Sequence, residues 1–246
     1  MPPRFSQAEL LIVTVARLLE GVEHVAVGAS SPIPGSAAFL AQAWAGGETR
    51  VTVLGSRRNN DFTDGGRELF DCAAQGRIGA FFLGGGQIDG RGNVNLVGLG
   101  HYPNLDVRFP GSFGSAYLYF LVPRVILFRE EHSPRVLVPQ VDFISAPGTS
   151  APGVHRPGGP HALVTGRALF SFDKTRTRFR LESVHPGETP ASIRATTGFD
   201  YDDPATPATT IPPDEKTLAL IRGPVRAAIA EVYPRFAARL VPPEAA

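Results

Sequence analysis

The chain has 246 residues and a formal net charge of +1, from 24 basic and 23 acidic residues. This near balance argues against a nucleic-acid-binding protein, and the single cysteine, Cys72, excludes an internal disulfide and fits a reducing, cytoplasmic location. Hydrophobic residues make up 43% of the chain, which is enough for a sizeable core in one large domain.

The first eighty or so residues alternate between helical and extended patterns. Ser6 followed by Glu9 is a capping-box pattern that begins a helix, and Gly21 can end it. The apolar stretch 10–19 of this helix is interrupted by polar residues and is too short to span a bilayer, so we expect no membrane segment. The patterns that follow predict strands at 24–28, 50–54 and 78–83, helices at 36–45 and 67–74, and polar loops at 29–35 and 55–66.

A glycine run with polar neighbours follows the third predicted strand. Gly84, Gly85 and Gly86 end the strand, and four polar side chains come soon after them: Gln87, Asp89, Asn93 and Asn95. Glycine lets a ligand approach the main chain closely, and ligands bind beyond the carboxyl ends of strands in open α/β sheets. We therefore predict a ligand-binding edge here, although the glycines also suit tight packing and Asp89 followed by glycine also suits an ordinary turn.

The second half of the chain is richer in extended patterns. It predicts strands at 107–109, 124–128 and 141–145, a helix at 116–121, irregular chain at 146–160, a β-meander at 162–184, a helix at 190–196, and helical chain at 213–240 with breaks at Gly223-Pro224 and Pro234. The predicted fold class is α/β, with an open, mostly parallel sheet covered by helices and an additional β-meander near the C-terminal third. We expect a single domain over 1–246, with a core at 6–202, a linker at 203–213 and a C-terminal helical segment at 214–240.

Six motifs occur in an order that resembles the β-subunit of family I CoA-transferases, most closely the β-subunit of the glutaconate CoA-transferase type. They are AVGASSPIP (26–34), FFLGGGQIDGRGNVN (81–95), VRFPGSFGSA (107–116), DFISAPG (142–148), VTGRALFSFD (164–173) and SVHPGETPASIRATTGFD (183–200). The resemblance implies an open-sheet fold that works as two related subunits or halves, with the active site between them. It also implies an α-subunit of the same family as partner, in a heterodimer or heterotetramer, an acyl-CoA thioester as substrate, and no permanently bound cofactor.

The resemblance further implies a nucleophile, and here the sequence departs from the family. In the transferases a glutamate ends the strand that matches 50–54 and forms a thioester with coenzyme A, while amides of a glycine-rich loop stabilise the oxyanion. Leu54 stands at the glutamate position. The loop that matches the oxyanion loop carries a bulky phenylalanine and comprises Gly111, Ser112, Phe113, Gly114 and Ser115. The chain thereby resembles relatives without the glutamate, which include a steroid-ring hydrolase and a decarboxylase of a methylglutaconyl-CoA.

We therefore predict hydrolysis or C–C cleavage of an acyl-CoA, with no catalytic side chain in this chain and the general base on the α-subunit. One alternative is a true CoA-transferase whose carboxylate comes from the other subunit or from Asp61 or Glu68. The other alternative is a non-catalytic ligand-binding subunit. If Leu54 marks the site, it should border the clefts formed by 84–86 and 111–115.

Further side chains are candidates for binding coenzyme A or the acyl group. By their match to the family or by their position after the strand at 50–54, they are Ser30, Ser31, Arg57, Arg58, Asn59 and Asn60. The serines also suit a helix cap, and the arginines suit either an anionic group or solvated surface. No histidine pair has metal-ligand spacing, so we predict no metal site.

Overall fold

The computed structural model describes residues 5–240. In this part of the chain the helices are α1 (Gln7–Arg17), α2 (Pro32–Trp44), α3 (Gly65–Ala74), α4 (Ser115–Leu121), α5 (Pro190–Thr196), α6 (Glu215–Leu220), α7 (Arg226–Ile229) and α8 (Pro234–Ala237), with a π-helical segment, Ile221–Val225, between α6 and α7. The strands are β1 (His24–Val27), β2 (Arg50–Val53), β3 (Ala80–Leu83), β4 (Gln87–Ile88), β5 (Val94–Asn95), β6 (Gly98–His101), β7 (Asn104–Arg108), β8 (Arg124–Arg129), β9 (Pro160–Thr165), β10 (Ala168–Asp173), β11 (Arg178–Val184) and β12 (Ala208–Thr209). None of these helices is both long and apolar enough to cross a membrane.

Eight of the described strands form one sheet, in the order β12-β11-β10-β9-β8-β3-β1-β2. The strands β2, β1, β3, β8 and β9 run parallel to one another, β10 is antiparallel to both of its neighbours, and β12 pairs in parallel with β11. Two small antiparallel pairs, β4–β5 and β6–β7, lie outside this sheet. This architecture confirms the predicted α/β class, the mostly parallel sheet and the meander.

Helices cover both faces of the sheet. α1, α2 and the C-terminal helices pack on one face, against Val25, Val27 and Phe82 among others. α3 and α4 pack on the other face, against alternate strand residues such as Ala26 and Phe81, as the two-residue period of a strand requires. The chain moves from β1 outward to β2 and then returns past β1 to β3, so the direction of winding reverses between β1 and β3.

The N-terminus of α1 forms the predicted capping box and is tied to the C-terminal helices. Ser6 Oγ accepts from the Glu9 amide at 3.3 Å, and the Glu9 carboxylate accepts from the Ser6 amide at 2.7 Å. Arg222 Nε donates to the same carboxylate at 2.6 Å, and the Glu9 side chain is only 3% exposed. A buried ion pair therefore joins α1 to the π-helical segment between α6 and α7.

Two predicted helix boundaries are wrong near prolines. α2 begins at Pro32 rather than at residue 36, because Pro32 and Pro34 lie in its first turn, where an amide needs no helical partner. Pro224 does not break the C-terminal helix, since α6 continues through the π-helical segment into α7. The break predicted at Pro234 is confirmed, because that residue opens α8 after a short irregular stretch.

Three predicted extended or linking segments also differ from the structure. Residues 141–145 form no strand, because pairing with β5 is limited to one isolated bridge between Val94 and Ala146, beside which the Ser145 amide and hydroxyl donate to the Val94 carbonyl at 3.1 and 2.8 Å. Segment 203–213 is not a free linker, since it contains β12. The strand predicted at 107–109 is the end of the β6–β7 hairpin, whose first strand contains two glycines and lacks an alternating pattern.

We expect stability to fall in acid because of a buried histidine. The ring nitrogens of His132 lie 2.8 and 3.0 Å from the hydroxyls of Thr165 and Thr197. Burial, helped by the positive charge of Arg167, lowers the pKa of His132 from 6.5 to about 4. The unfolded chain takes up this proton near pH 6.5 and the folded chain only near pH 4. The contribution of the neutral His132 ring to the free energy of unfolding is therefore fully present above pH 6.5 and is lost as the pH falls toward 4.

Urea unfolding at pH 7 and at pH 4 measures this contribution. Other groups also titrate in this range, so the informative quantity is the difference between the wild type and His132→Gln, whose amide can bond the same two hydroxyls without titrating. The wild type should lose about 2–3 kcal/mol more than the variant between the two pH values. Equal losses in the two proteins would contradict the prediction.

Candidate functional site

A cleft of about 840 Å³ opens at the carboxyl ends of β1, β3 and β8. It is lined by residues 29–34, 82–86, 109–110 and 128–131, together with Leu96. β1 and β3 are the strands between which the winding reverses, and this is where open α/β sheets bind ligands. The walls are largely apolar, and the charged lining residues all lie at the end of β8.

The glycine run Gly84–Gly86 lines the cleft as predicted, and it also allows close packing. A Cβ atom on Gly86 would lie 2.1 Å from the Phe109 ring, and one on Gly84 would lie 2.9 Å from the Phe128 carbonyl oxygen. On Gly85 it would meet Val94 Cγ1 at 2.4 Å. The close-packing interpretation is therefore confirmed, and ligand binding by the main chain of this run stays a prediction.

Ser30 and Ser31 also line the cleft, at the start of α2. Ser30 has a φ of +59°, and Ser31 stands at the N-cap without a side-chain capping bond. The Ser31 amide donates instead to the Tyr233 hydroxyl at 3.0 Å, and that hydroxyl lies 3.4 Å from the Gly28 carbonyl oxygen. Burial raises the pKa of Tyr233, so the phenol stays protonated. The C-terminal segment thus holds the serine loop in place.

The end of β8 supplies charged groups that the sequence reasoning missed. Glu131 accepts from Ser133 Oγ and Arg135 Nη2, each at 2.7 Å, and these bonds lower its pKa to about 2. Glu130 is exposed, and no side-chain partner for it occurs within residues 5–240. Arg129 completes this wall. The sequence does indicate these groups, because charged residues directly after a buried strand lie at the edge of the sheet where ligands bind.

The polar side chains after the glycine run point inward rather than into the cleft. Gln87, Asp89, Asn93 and Asn95 are all buried. Asp89 accepts from the amides of Arg91 and Asn93 and from Asn93 Nδ2, at 3.0–3.1 Å. Asn95 Nδ2 donates to Gln87 Oε1 at 2.8 Å. These residues build the β4–β5 turn, which agrees with the alternative interpretation of Asp89.

The loop after β2 lies outside the cleft lining. Arg57 and Arg58 are exposed, and Ser56 Oγ accepts from the amides of Arg58 and Asn59. Asn60 Oδ1 accepts from the Phe62 amide at 3.3 Å. Glu231, from the C-terminal segment, accepts from Ser56 Oγ at 2.6 Å and from the Arg57 amide at 2.9 Å, and these bonds lower its pKa.

The predicted oxyanion loop, 111–115, packs against α3 and does not line the cleft. The Phe113 ring lies 5.7 Å from the Phe70 ring, and a Cβ atom on Gly66 would lie 2.9 Å from Phe113. Phe113 has a φ of +41° and is 78% exposed. Its side chain thus covers the N-terminus of α3, next to the loop that follows β2.

Leu54 stands beside the cleft but does not line it. Its amide donates to the Val27 carbonyl at 2.9 Å, so it adjoins the end of β1. Leu54 is half-buried and packs against the core on the α3 side. The expected border between Leu54 and the cleft is therefore not found, because the cleft ends at β1 and Leu54 follows β2, the next strand. In residues 5–240 no three His, Cys, Asp or Glu side chains come together in a way that could hold a metal ion.

This arrangement suits an elongated apolar ligand with a polar end. The apolar walls can bury a hydrocarbon chain, the main chain of the glycine run can approach a carbonyl group, and the end of β8 offers charged partners.

A family of known proteins and several curated proteins match this chain. Residues 14–195 match the family described as Coenzyme A transferase. The chain is 33% identical to the B subunit of glutaconate CoA-transferase from Acidaminococcus fermentans over 49% of this chain and 47% of that protein, about half of its length. It is 30% identical to the B subunit of 3-oxoadipate CoA-transferase from Pseudomonas knackmussii, over 75% of this chain and 71% of that one. It is 26% identical to the cholesterol ring-cleaving hydrolase IpdB subunit of Rhodococcus jostii, over 86% and 74% respectively.

Solved structures have the same fold. IpdAB of Rhodococcus jostii superposes with a TM-score of 0.80 at 24% identity, covering 97% of this chain and 99% of that one. The decarboxylase AibA/AibB superposes with a TM-score of 0.77, also at 24% identity and with the same two coverages. At this identity the likeness establishes the fold.

Proposed function

Because the chain belongs to the coenzyme A transferase family, we propose that it is the B-type subunit of a two-subunit enzyme that acts on an acyl-CoA thioester. The three curated relatives described above are two B subunits and an IpdB subunit, and two of these three match over more than two thirds of their length. The cleft at the winding reversal would receive the acyl group, and a second subunit would complete the site.

The reaction that we propose is hydrolysis or C–C cleavage rather than transfer of coenzyme A. The observation that carries this proposal is the residue that follows β2, where Leu54, an apolar side chain beside the cleft and outside its lining, offers no nucleophile. The two carboxylates of this chain that could replace the family's glutamate already have other partners. Asp61 pairs with Arg50 at 3.0 Å, and Glu68 accepts from the amides of Thr63 and Asp64. Neither of these carboxylates lines the cleft.

In this proposal the reacting proton is moved by the second subunit. A carboxylate of that subunit would take a proton from water or from the substrate, and the thioester carbonyl would become an oxyanion or an enolate. The main chain at Gly84–Gly86, where no side chain intervenes, is the part of this chain that can approach that oxygen. This chain would thus bind and polarise the thioester.

Transfer of coenzyme A is the second candidate, and two observations favour it. The identities to the two CoA-transferase subunits, 33% and 30%, exceed the 26% to the hydrolase subunit. The cleft also contains Glu130, an exposed carboxylate that could attack a thioester.

Thiol release and identification of the acyl-CoA product, both with the assembled enzyme, separate the two reactions. Without an acceptor acid, we expect glutaconyl-CoA or 3-oxoadipyl-CoA either to release free coenzyme A by hydrolysis or to become a shorter acyl-CoA by C–C cleavage, and we expect borohydride treatment to leave no reduced carboxylate on this chain. Leu54→Ala, which removes no reactive group, should retain kcat within about threefold, whereas Glu130→Gln would stop a transferase that used this carboxylate. Release that depends on added acetate, together with a trapped adduct at Glu130, would establish transfer. If neither free coenzyme A nor a shorter acyl-CoA forms from either thioester, with or without acetate, both reactions on these substrates are refuted.

A further inference from the structure

A second cavity, of about 510 Å³, opens at the edge of the sheet opposite the cleft. It lies at the amino ends of β1, β3 and β8, where His24, Gly79 and Arg124 line it. A strand rises about 3.3 Å per residue, so these short strands separate the two edges by about 13–20 Å. The two openings have no lining residue in common within residues 5–240, so this cavity is separate from the cleft that would receive the acyl group.

The charged lining of this cavity is mostly basic. Arg77 and Arg124 line it, and neither forms an ion pair with a carboxylate in the described part of the chain. Arg124 Nη1 donates to the main-chain carbonyls of Leu18 and Glu20, each at 2.9 Å, so it supports the end of α1. Glu23 is the one acidic residue of the lining within residues 5–240, and it is exposed, so water and salt screen its charge. The cavity therefore carries an excess of positive charge.

Two further cations, Lys174 and Arg156, add to this excess. Lys174 Nζ donates to the carbonyl of Pro123, which lines the cavity, at 3.5 Å, and to the carbonyl of Gly158 at 3.1 Å. Arg156 Nη2 donates to the Pro147 carbonyl at 2.6 Å. Neither cation forms an ion pair with a carboxylate among the described residues. Main-chain carbonyls hold both side chains, but carbonyls carry no net charge that could neutralise them.

The positive charges affect the titratable groups around the cavity. Burial, helped by the charges of Arg124 and Lys174, lowers the pKa of His161, which lines the cavity. Burial, helped by the charge of Arg156, lowers the pKa of Lys174. In both cases the neighbouring charges that act are positive. Like charges held together are unfavourable, so an anion bound between them would stabilise this cluster.

The lining favours a phosphate group over a carboxylate. Arg77, Arg124 and His161 come from three different segments, and a phosphate group has about −1.5 to −2 charges at pH 7 and three strong acceptor oxygens, so it can bind several donors at once. A carboxylate suits a single guanidinium. Gly21, Gly76 and other small residues form much of the remaining wall, which leaves little surface for a hydrocarbon chain.

We propose that this cavity binds a phosphate group through Arg77, Arg124 and His161, and that the phosphate is either free or carried by a small phosphorylated molecule. Arg77 and His161 are exposed, so a ligand reaches them from solvent without a change in the fold. Arg124 would bind through Nε or Nη2, since its Nη1 is already used. The proposal does not depend on the reaction at the cleft, and this chain alone is sufficient to test it.

Calorimetric titration of the purified full chain at constant ionic strength tests this site. The probes are inorganic phosphate, glycerol 3-phosphate and, as the uncharged counterpart, glycerol. The variants are Arg77→Gln, His161→Gln and the two combined, and Arg124 is left in place because it also supports α1. We expect both phosphates to bind and glycerol not to bind. Each single variant should weaken phosphate binding, and the double variant should weaken it at least about tenfold, since hydrogen bonds to charged groups are lost.

Two control variants show whether the phosphate binds in this cavity. Arg91→Gln removes an exposed arginine on the β4–β5 turn, outside the cavity, and Gly86→Ala changes the cleft at the opposite edge. Both should bind phosphate within about twofold of the wild type, because exposed and distant charges are screened.

The two phosphate probes identify the source of the ligand. Tighter binding of glycerol 3-phosphate would identify a phosphate ester, tighter binding of inorganic phosphate would identify free phosphate, and either order supports the site. The proposal is overturned if neither probe binds, or if the double variant binds both probes as the wild type does. It is also overturned if Arg91→Gln or Gly86→Ala loses as much affinity as the double variant.

Discussion

Replacing Glu9 with glutamine is expected to lower the free energy of unfolding by about 2–4 kcal/mol. The Glu9 carboxylate caps α1 at Ser6 and pairs with Arg222 at 2.6 Å, with its side chain 3% exposed. Removing one partner of a buried ion pair leaves the other charge desolvated, and the loss of the cap adds to this. Glu215 still attracts Arg222 in the variant, so the loss should remain below the upper range for buried pairs.

Urea unfolding at pH 7 measures this loss, and an exposed pair provides the matched control. Arg50 and Asp61 lie 3.0 Å apart with side chains 51% and 58% exposed, so Asp61→Asn should reduce stability by less than about 1 kcal/mol. If Glu9→Gln lost no more stability than Asp61→Asn, the ion pair between α1 and the C-terminal helices would have no structural importance.

Gly86→Ala is expected to disable the cleft and to lower stability by about 1–3 kcal/mol. The added methyl group would lie 2.1 and 2.3 Å from two carbons of the Phe109 ring, so the ring must move. Phe109 lines the cleft, and small displacements of groups at a reacting centre can reduce rates by about 10²-fold. We therefore expect kcat/KM for turnover of the acyl-CoA by the assembled enzyme to fall at least about tenfold.

A double variant separates the clash from other effects. Phe109→Ala removes the obstacle, so stability should fall less when Gly86→Ala is added to Phe109→Ala than when it is added to the wild type. Gly28→Ala is the matched control, because a Cβ there would meet its neighbours at 3.9 Å, which is ordinary contact. Additive losses from Gly86→Ala and Phe109→Ala would mean that the ring is not the reason for glycine at this position.

Sequence pattern was sufficient to predict most of the sheet, because the buried central strands are short apolar runs and the meander strand β10 alternates in burial. The strands β1, β2, β3 and β8 and the meander β9–β11 lie where alternating or apolar runs occur. The first turn of α2 escaped prediction, since its prolines and glycine are typical of loops as well. β12 has two exposed residues, and it exists only because β11 offers it an unpaired edge.

The candidate site was predictable in part, for a different reason. Gly84–Gly86 and Ser30–Ser31 follow strand ends, and strand ends of a parallel sheet meet at one edge. The direction in which a polar side chain points cannot be read from its type. Asp89 and Asn95 therefore look like ligand-binding residues, although they satisfy main-chain and side-chain groups inside a turn. The hydrogen bonds of the charged residues after β8 depend on which acceptors their neighbours have already taken, and that requires coordinates.

The C-terminal segment of the chain holds two loops at the open edge of the sheet. The Tyr233 hydroxyl accepts from the Ser31 amide, and Glu231 accepts from Ser56 Oγ and the Arg57 amide. The edge therefore acquires its shape as soon as one chain has folded. A second polypeptide would meet a surface that is already rigid, so little conformational entropy would be lost when the two associate. The two subunits should associate as folded, rigid bodies rather than fold together. The association rate should be limited by the need for the correct mutual orientation.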